Sequence, residues 1–223
     1  TQVTYVLSNY LYIFVWRFPE RWFQAYPWLL FGSVIIAFFL VAYFNKLWGK
    51  KDSAFRFIFI NAGFWITPFL LFLAGFWPET GTNVSTALVF AFFFIANCSG
   101  VIIQISVASM IADVVEVTEE HTGRRSEGLL YAGNLFVNKC ATGAGILIGG
   151  FIISMAGLPE KADPATVPGP VIDTLVIAYI STIVLLGLGT IWRIRKFPIT
   201  RADHEERVRR LAEGEKTVEA RAG

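Results

Sequence analysis

Residues 84–112 read VSTALVFAFFFIANCSGVIIQISVASMIA, a run that holds no Asp, Glu, Lys or Arg. A helix needs about 20 mostly apolar residues to cross a hydrocarbon core about 30 Å thick. This run is longer than that, and the charged stretch DVVEVTEEHTGRRSEG follows it directly at residues 113–128. The run therefore predicts a membrane-spanning helix that ends at a concentration of charge.

The composition of the whole chain agrees with a membrane protein. Its 223 residues are 55% hydrophobic and 16% aromatic, with a mean hydropathy of +0.56, outside the range of ordinary soluble domains. Cys98 and Cys140 lie in apolar runs without metal-ligand spacing, so the sequence predicts buried thiols and no metal site.

Six apolar segments predict an all-α membrane protein with six transmembrane helices. They lie at about residues 1–16, 27–47, 55–77, 84–112, 127–157 and 171–192. Residues 193–223 form a polar tail, in which Thr200 and Asp203 fit a capping box and predict a short amphipathic helix.

The distribution of basic residues predicts the orientation. Of 19 Lys and Arg residues, fifteen fall on the side of both termini and of the charged stretch, and only Arg17, Arg21 and Lys161 fall on the other. Basic residues concentrate on the cytoplasmic side of membrane proteins. Both ends of this segment are therefore predicted to be cytoplasmic.

The one remaining basic residue, Lys139, lies about 12 residues, or roughly 18 Å, into the fifth helix and so near the bilayer midplane. A charge there costs about 2.5–3.5 kcal/mol on insertion scales, and such residues commonly mark transport pathways. The alternative is a structural lysine that is deprotonated or bound by a backbone carbonyl.

Polar and small residues share one stripe with three- and four-residue spacing around Lys139. Tyr131, Asn134 and Asn138 predict a substrate or ion pathway together with Lys139 and Gln104 of the fourth helix. Gly145 and Gly149 form a GxxxG motif, whose usual meaning is close helix packing. Gln104 is alternatively an interhelical hydrogen-bonding residue, as are Asn97 and Ser99.

Several of these residues carry a family resemblance. Asp113-Val-Val-Glu116, the segment from Thr122 to Gly128, and Lys139 resemble the signature of the glycoside-pentoside-hexuronide:cation symporters of the major facilitator superfamily. The resemblance implies that this chain corresponds to helices seven to twelve of a twelve-helix transporter in a bacterial inner membrane. It also implies symport of a sugar with Na⁺ or H⁺, no covalently bound cofactor, and a missing N-terminal six-helix bundle as partner.

The charged stretch is interpreted as a cytoplasmic gate. Asp113, Glu116, Arg125 and Glu127 carry the resemblance, and ion pairs between facing helices can close a pathway in one state and break in another. The alternative is a solvated loop, because exposed ion pairs contribute only about 0–1 kcal/mol.

Two other functions remain open at this point. The same fold could carry a lysophospholipid or another amphiphile, or the chain could be a membrane scaffold without a transport cycle. An enzyme is disfavoured because no Ser/His/Asp set, HExxH motif or phosphate loop is present. The expected partners are membrane lipids and a small-molecule substrate, and no nucleic acid.

Overall fold

The computed structural model describes residues 2–122, 127–158 and 167–195, and within them it contains six α-helices and no strand. The helices are α1 (Gln2–Phe14), α2 (Glu20–Trp48), α3 (Lys50–Leu73), α4 (Asn83–Thr122), α5 (Glu127–Met155) and α6 (Gly169–Arg195). Helices α2 to α6 are long and apolar enough to cross a membrane, and α1 is shorter. The prediction of an all-α, multi-pass membrane protein is confirmed.

The helices extend beyond the apolar segments that locate them. Helix α2 begins at Glu20 rather than near residue 27, α3 begins at Lys50 rather than near residue 55, and α4 continues to Thr122 rather than ending near residue 112. Hydropathy marks the part of a helix inside the hydrocarbon, whereas backbone hydrogen bonding continues into the polar zone. The charged residues at 113–122 therefore lie on a helix and not in a connecting loop.

Gly49 is the only residue between α2 and α3. Its φ of +82° lies in the region that favours glycine, and its N–H donates to the Asn45 carbonyl at 2.9 Å. Ser53 N–H in turn donates to the Gly49 carbonyl at 2.9 Å, which begins α3 at once. This tight turn places Lys50 in the first turn of α3, beside the far end of α4.

Helix α4 is the most enclosed element, because it packs between α2 and α3. Several hydrogen bonds join it to these neighbours, and three of them lie within the apolar part of the helix. Asn97 Nδ2 donates to Ser33 Oγ, Ser106 Oγ donates to Asn45 Oδ1 at 2.9 Å, and Asn61 Nδ2 donates to the Ala96 carbonyl at 2.6 Å. Helix α6 packs on α3 and α1, and α1 packs on α5.

An aromatic core closes the end of the bundle that holds the α1–α2 and α3–α4 connections. Trp16 is fully buried there, with ring centroids 5.0 Å from Phe69 and 5.2 Å from Trp77. Gly81 N–H donates to the Trp16 carbonyl at 3.0 Å, which ties the two connections together. Trp16 thus packs in the protein core.

The predicted tail helix after Thr200 and the segment that includes Arg125 lie outside the described residues.

Candidate functional site

The polar stripe predicted on α5 is present and open. Residues 131–141 are all exposed, including Tyr131, Asn134 and Asn138. Asn138 Nδ2 donates to the Asn134 carbonyl at 2.8 Å and lies 2.9 Å from Asn134 Oδ1, and Thr142 Oγ1 donates to the Asn138 carbonyl at 2.8 Å. These bonds stay within α5 and leave most of the amide hydrogen-bonding capacity unused.

The same stripe continues into the surface where α5 packs on α1. Gly145, Gly149 and Ile153 are buried at four-residue spacing, and a Cβ on Gly149 would lie 3.0 Å from Val6 Cβ. By contrast, a Cβ on Gly150 would meet nothing within 4 Å. The glycine motif therefore serves close packing at Gly149, and Asn134 and Asn138 lie on the same face of α5.

Lys139 is exposed and lies twelve residues after Glu127 in α5. Among residues 3–115, 128–158 and 167–192, whose side chains the structure describes, no side chain is within hydrogen-bonding or ion-pairing distance of its Nζ. On the side of the helix opposite Asn138, Phe136 and Leu147 are 70% and 77% exposed. That side of α5 is suited to lipid, and Lys139 lies between it and the asparagine stripe, with no counter-charge among the side chains that the structure describes.

Gln104, predicted to join this pathway from α4, is exposed and makes no hydrogen bond with the α5 residues in the described structure. Its neighbours on α4 differ. Asn97 donates across to α2, and Ser99 Oγ donates to the Ile95 carbonyl of its own helix at 2.7 Å. Among these three polar residues of α4, only Asn97 acts as an interhelical hydrogen-bonding residue.

Asp113, the first predicted gate residue, forms an ion pair that the sequence did not identify. Lys50 Nζ lies 2.6 Å from Asp113 Oδ1 and 2.9 Å from Oδ2, and the two side chains are 32% and 13% exposed. The side chains of Glu116, Arg125 and Glu127 lie outside the described residues. The observed pair joins α3 to α4 within this bundle.

Lys50 could have been found from its position. It directly follows Gly49, which lies between the second and third apolar segments, and a glycine at such a position indicates a tight turn. The predicted orientation places this turn on the same side of the membrane as Asp113. At the same turn between α2 and α3, the Arg56 guanidinium lies 4.4 Å from the centroid of the Trp48 ring, which is a cation–π contact.

The cysteine prediction is half correct. Cys98 is buried in α4, whereas Cys140 is exposed in α5. Across the parts of the chain that the structure describes, no group of three or more His, Cys, Asp or Glu side chains is close enough to hold a metal ion.

Comparison with known proteins identifies the fold to which this bundle belongs. The model of the MFS/sugar transport protein family matches residues 1–201. The chain belongs to this family. It is also 27% identical over 218 residues to YagG of Escherichia coli (strain K12), whose provisional name is glycoside/cation symporter. The match covers 95% of this chain but 44% of that relative, and no solved structure matches the chain significantly.

Proposed function

We propose that this chain forms one six-helix half of a cation-coupled symporter that moves a sugar or glycoside by alternating access. The observation that supports it most directly is the exposed segment 131–141 of α5, which carries Lys139 and two asparagines inside an apolar span. An unpaired charge facing hydrocarbon would be costly, so this segment requires water, substrate or a second bundle with carboxylates. Membership of the MFS/sugar transport protein family supports the same activity and argues against an enzyme.

In this proposal Lys139, Asn134, Asn138, Tyr131 and Gln104 line the pathway. Asparagine amides and the tyrosine hydroxyl both donate and accept hydrogen bonds, as recognition of a polyhydroxyl substrate requires. Lys139 pairs through its compact ammonium with a carboxylate of the second bundle. When Na⁺ or H⁺ neutralises that carboxylate, this ion pair weakens. Coupling then arises because cation binding changes the electrostatic environment of the substrate site.

The ion pair between Lys50 and Asp113 forms part of the proposed cytoplasmic gate. The pair fixes the part of α4 around Asp113 against α3, and Glu116, Arg125 and Glu127 are the other gate residues of this proposal. Both members of this ion pair belong to the same six-helix bundle. It therefore need not break in each transport cycle, unlike an ion pair between the two bundles of the transporter. Both termini of the segment lie in the cytoplasm in this arrangement, and the membrane is a bacterial inner membrane.

The test is uptake by the complete transporter, purified and reconstituted into liposomes. Radiolabelled α- and β-glycosides are offered with an imposed Na⁺ gradient, an imposed H⁺ gradient or neither. The proposal expects concentrative uptake of at least one glycoside with one of the two gradients. Uptake of a labelled lysophospholipid without any glycoside transport would instead assign the amphiphile function, and uptake of neither would favour a scaffold.

A further inference from the structure

Arg56 of α3 carries a positive charge that no carboxylate in the described part of the chain neutralises. Its guanidinium lies 4.4 Å from the centroid of the ring of Trp48, the last residue of α2, and Arg56 is exposed. Asp52 lies one turn earlier on the same face of α3, yet it forms no ion pair with Arg56. Arg56 also has no hydrogen-bond acceptor among the side chains and carbonyls that the structure describes. Its N–H donors are therefore available to a partner outside these residues.

Packing fixes the Trp48 ring that the guanidinium contacts. Phe44 stacks on this ring with a centroid distance of 4.9 Å, and the centroid of the buried Phe57 ring lies 6.3 Å away. Both Trp48 and Phe44 pack against the core cluster that contains Phe57. A cation held over a fixed ring samples fewer positions than a free arginine side chain does, so less entropy is lost when it binds an anion.

The guanidinium lies where hydrocarbon meets headgroups. Arg56 is seven residues, or roughly 10 Å, after the Gly49 turn, and helix side chains lean toward the N-terminus, which for α3 is the turn. The contact with Trp48, beside Gly49, agrees with that direction. Phe59 and Ile60 follow on the same face of α3 and are 53% and 36% exposed. A cation at the helix end with apolar side chains behind it matches the headgroup and acyl chain of a phospholipid.

The charge around the turn favours an anionic lipid over a zwitterionic one. Residues 46–56 contain four basic residues and one acidic residue. The ion pair with Asp113 engages Lys50, and a surplus of positive charge remains. The distribution of basic residues predicts that this turn is cytoplasmic, the side on which basic segments meet anionic headgroups. A guanidinium also matches phosphate geometry, because it can donate two parallel hydrogen bonds to phosphate oxygens.

We propose that Arg56 and Trp48 form a binding site for the phosphate of an anionic phospholipid, with an acyl chain along Phe59 and Ile60. The bound lipid links the end of α2 to the first turns of α3, at the same end of the bundle as the ion pair between Lys50 and Asp113. This site is separate from the α5 pathway residues and does not depend on which substrate is transported.

Photocrosslinking in vesicles tests this site in the complete transporter. The protein is reconstituted into phosphatidylcholine with about 10 mol% phosphatidylglycerol that carries a diazirine in its acyl chain, so that anionic lipid is the minor component. Control vesicles carry the same diazirine on phosphatidylcholine, and peptide mass spectrometry locates the crosslinks. Crosslinking at Phe59 and Ile60 is expected to be about fivefold stronger with phosphatidylglycerol, the preference that one basic residue near an anionic surface provides.

Two variants of Arg56 and one control test its role. Arg56→Gln is expected to lower crosslinking by phosphatidylglycerol to the phosphatidylcholine level. Arg56→Lys should give an intermediate value, because it keeps the charge and loses the planar fork. Lys46→Gln is the matched control, since Lys46 is an exposed cation of the same helix end, two residues before Trp48, and therefore projects from another side of α2. It should crosslink as the wild type does.

The comparison of the two lipids in the wild type needs no variant to fold. Equal crosslinking by both lipids would overturn the proposal, as would unchanged crosslinking in a folded Arg56→Gln protein. Inorganic phosphate added to the vesicles is expected not to compete. If it abolished the crosslinks, Arg56 would bind a soluble anion and the lipid site would be wrong. No step requires uptake, so a protein that transports no glycoside would overturn the proposed function and leave the lipid site standing.

Discussion

Helices α4 and α5 are both long, apolar and interrupted by polar residues, yet they use these residues in opposite ways. The polar groups of α4 are mostly engaged, since Asn97 and Ser106 bond to α2 and Asp113 pairs with Lys50 of α3. The polar groups of α5 are exposed, and their hydrogen bonds remain within the helix.

The difference follows from how much of each helix is packed against its neighbours. Helix α4 is enclosed by α2 and α3, whereas α5 packs mainly through one glycine-containing face on α1. A polar residue between packed helices finds a partner and adds stability, while a polar residue on an open face remains available to a ligand or a second bundle. We therefore expect substitutions in α4 to change stability and substitutions on the open face of α5 to change transport.

The largest stability effect is expected where α5 does pack. Gly149→Leu would force a side chain into Val6 and destabilise the α1–α5 contact by about 3 kcal/mol, the upper end of the usual range for overpacked sites. Thermal melting of the purified protein in detergent measures this. Gly150→Leu is the matched control, because the space next to Gly150 is open, and equal melting temperatures for the two variants would contradict the packing described.

The ion pair at the end of α4 is expected to have the next largest effect. Asp113→Asn removes a charge-assisted hydrogen bond at a site that is only 13% exposed and should lower stability by about 2 kcal/mol. The double variant Lys50→Asp with Asp113→Lys should recover part of the loss, and Asp52→Asn, an exposed acid of α3, should melt as the wild type does. If the charge exchange recovers nothing, the two side chains do not act as a pair.

A smaller effect is expected for the hydrogen bond between α4 and α2. Asn97→Leu should destabilise the bundle by about 0.6 kcal/mol and by no more than about 1.7 kcal/mol, the range for interhelical hydrogen bonds in membranes. Melting of the variant, compared with that of Ser33→Ala and of the double variant, gives the coupling between the two residues. A coupling of zero would show that the bond contributes nothing.

The smallest stability effect is expected on the open face of α5. Asn138→Leu removes only hydrogen bonds within the helix, so the melting temperature should stay within about 1 °C of the wild type, since a change of 1 kcal/mol corresponds to about 2–4 °C. Glycoside uptake by the same variant in the complete transporter should fall at least tenfold. If Asn138→Leu lowered the melting temperature and left glycoside uptake normal, the expected difference between α4 and α5 would be wrong.

Sequence alone predicted the number of helices and the stripe on α5, because apolar length and three- or four-residue spacing are local properties. It did not predict the helix ends near Glu20, Lys50 and Thr122, since polar residues continue a helix without a hydropathy signal. The partners of Asn97 and Asp113 were also missed. Both partners are more than 60 residues away in the chain, and such contacts depend on tertiary packing.

Lys139 gives the most direct test of the central claim that the open face of α5 forms the substrate and ion pathway. Lys139→Ala removes a charge from the membrane interior, so the amount of folded protein in the membrane should equal that of the wild type. Cation-driven glycoside uptake by the complete transporter should be lost, and Lys139→Arg should not restore it, because the larger planar guanidinium cannot replace a compact ammonium.

The measurement is therefore paired, with membrane-inserted protein and uptake at saturating cation determined on the same vesicles. The exposed Lys46 at the end of α2 provides the control, and Lys46→Ala should retain both properties. The account predicts normal amounts of the Lys139→Ala protein with less than about one hundredth of wild-type uptake, a loss of about 2.7 kcal/mol or more. Full uptake by Lys139→Ala, or loss of the folded protein itself, would contradict it.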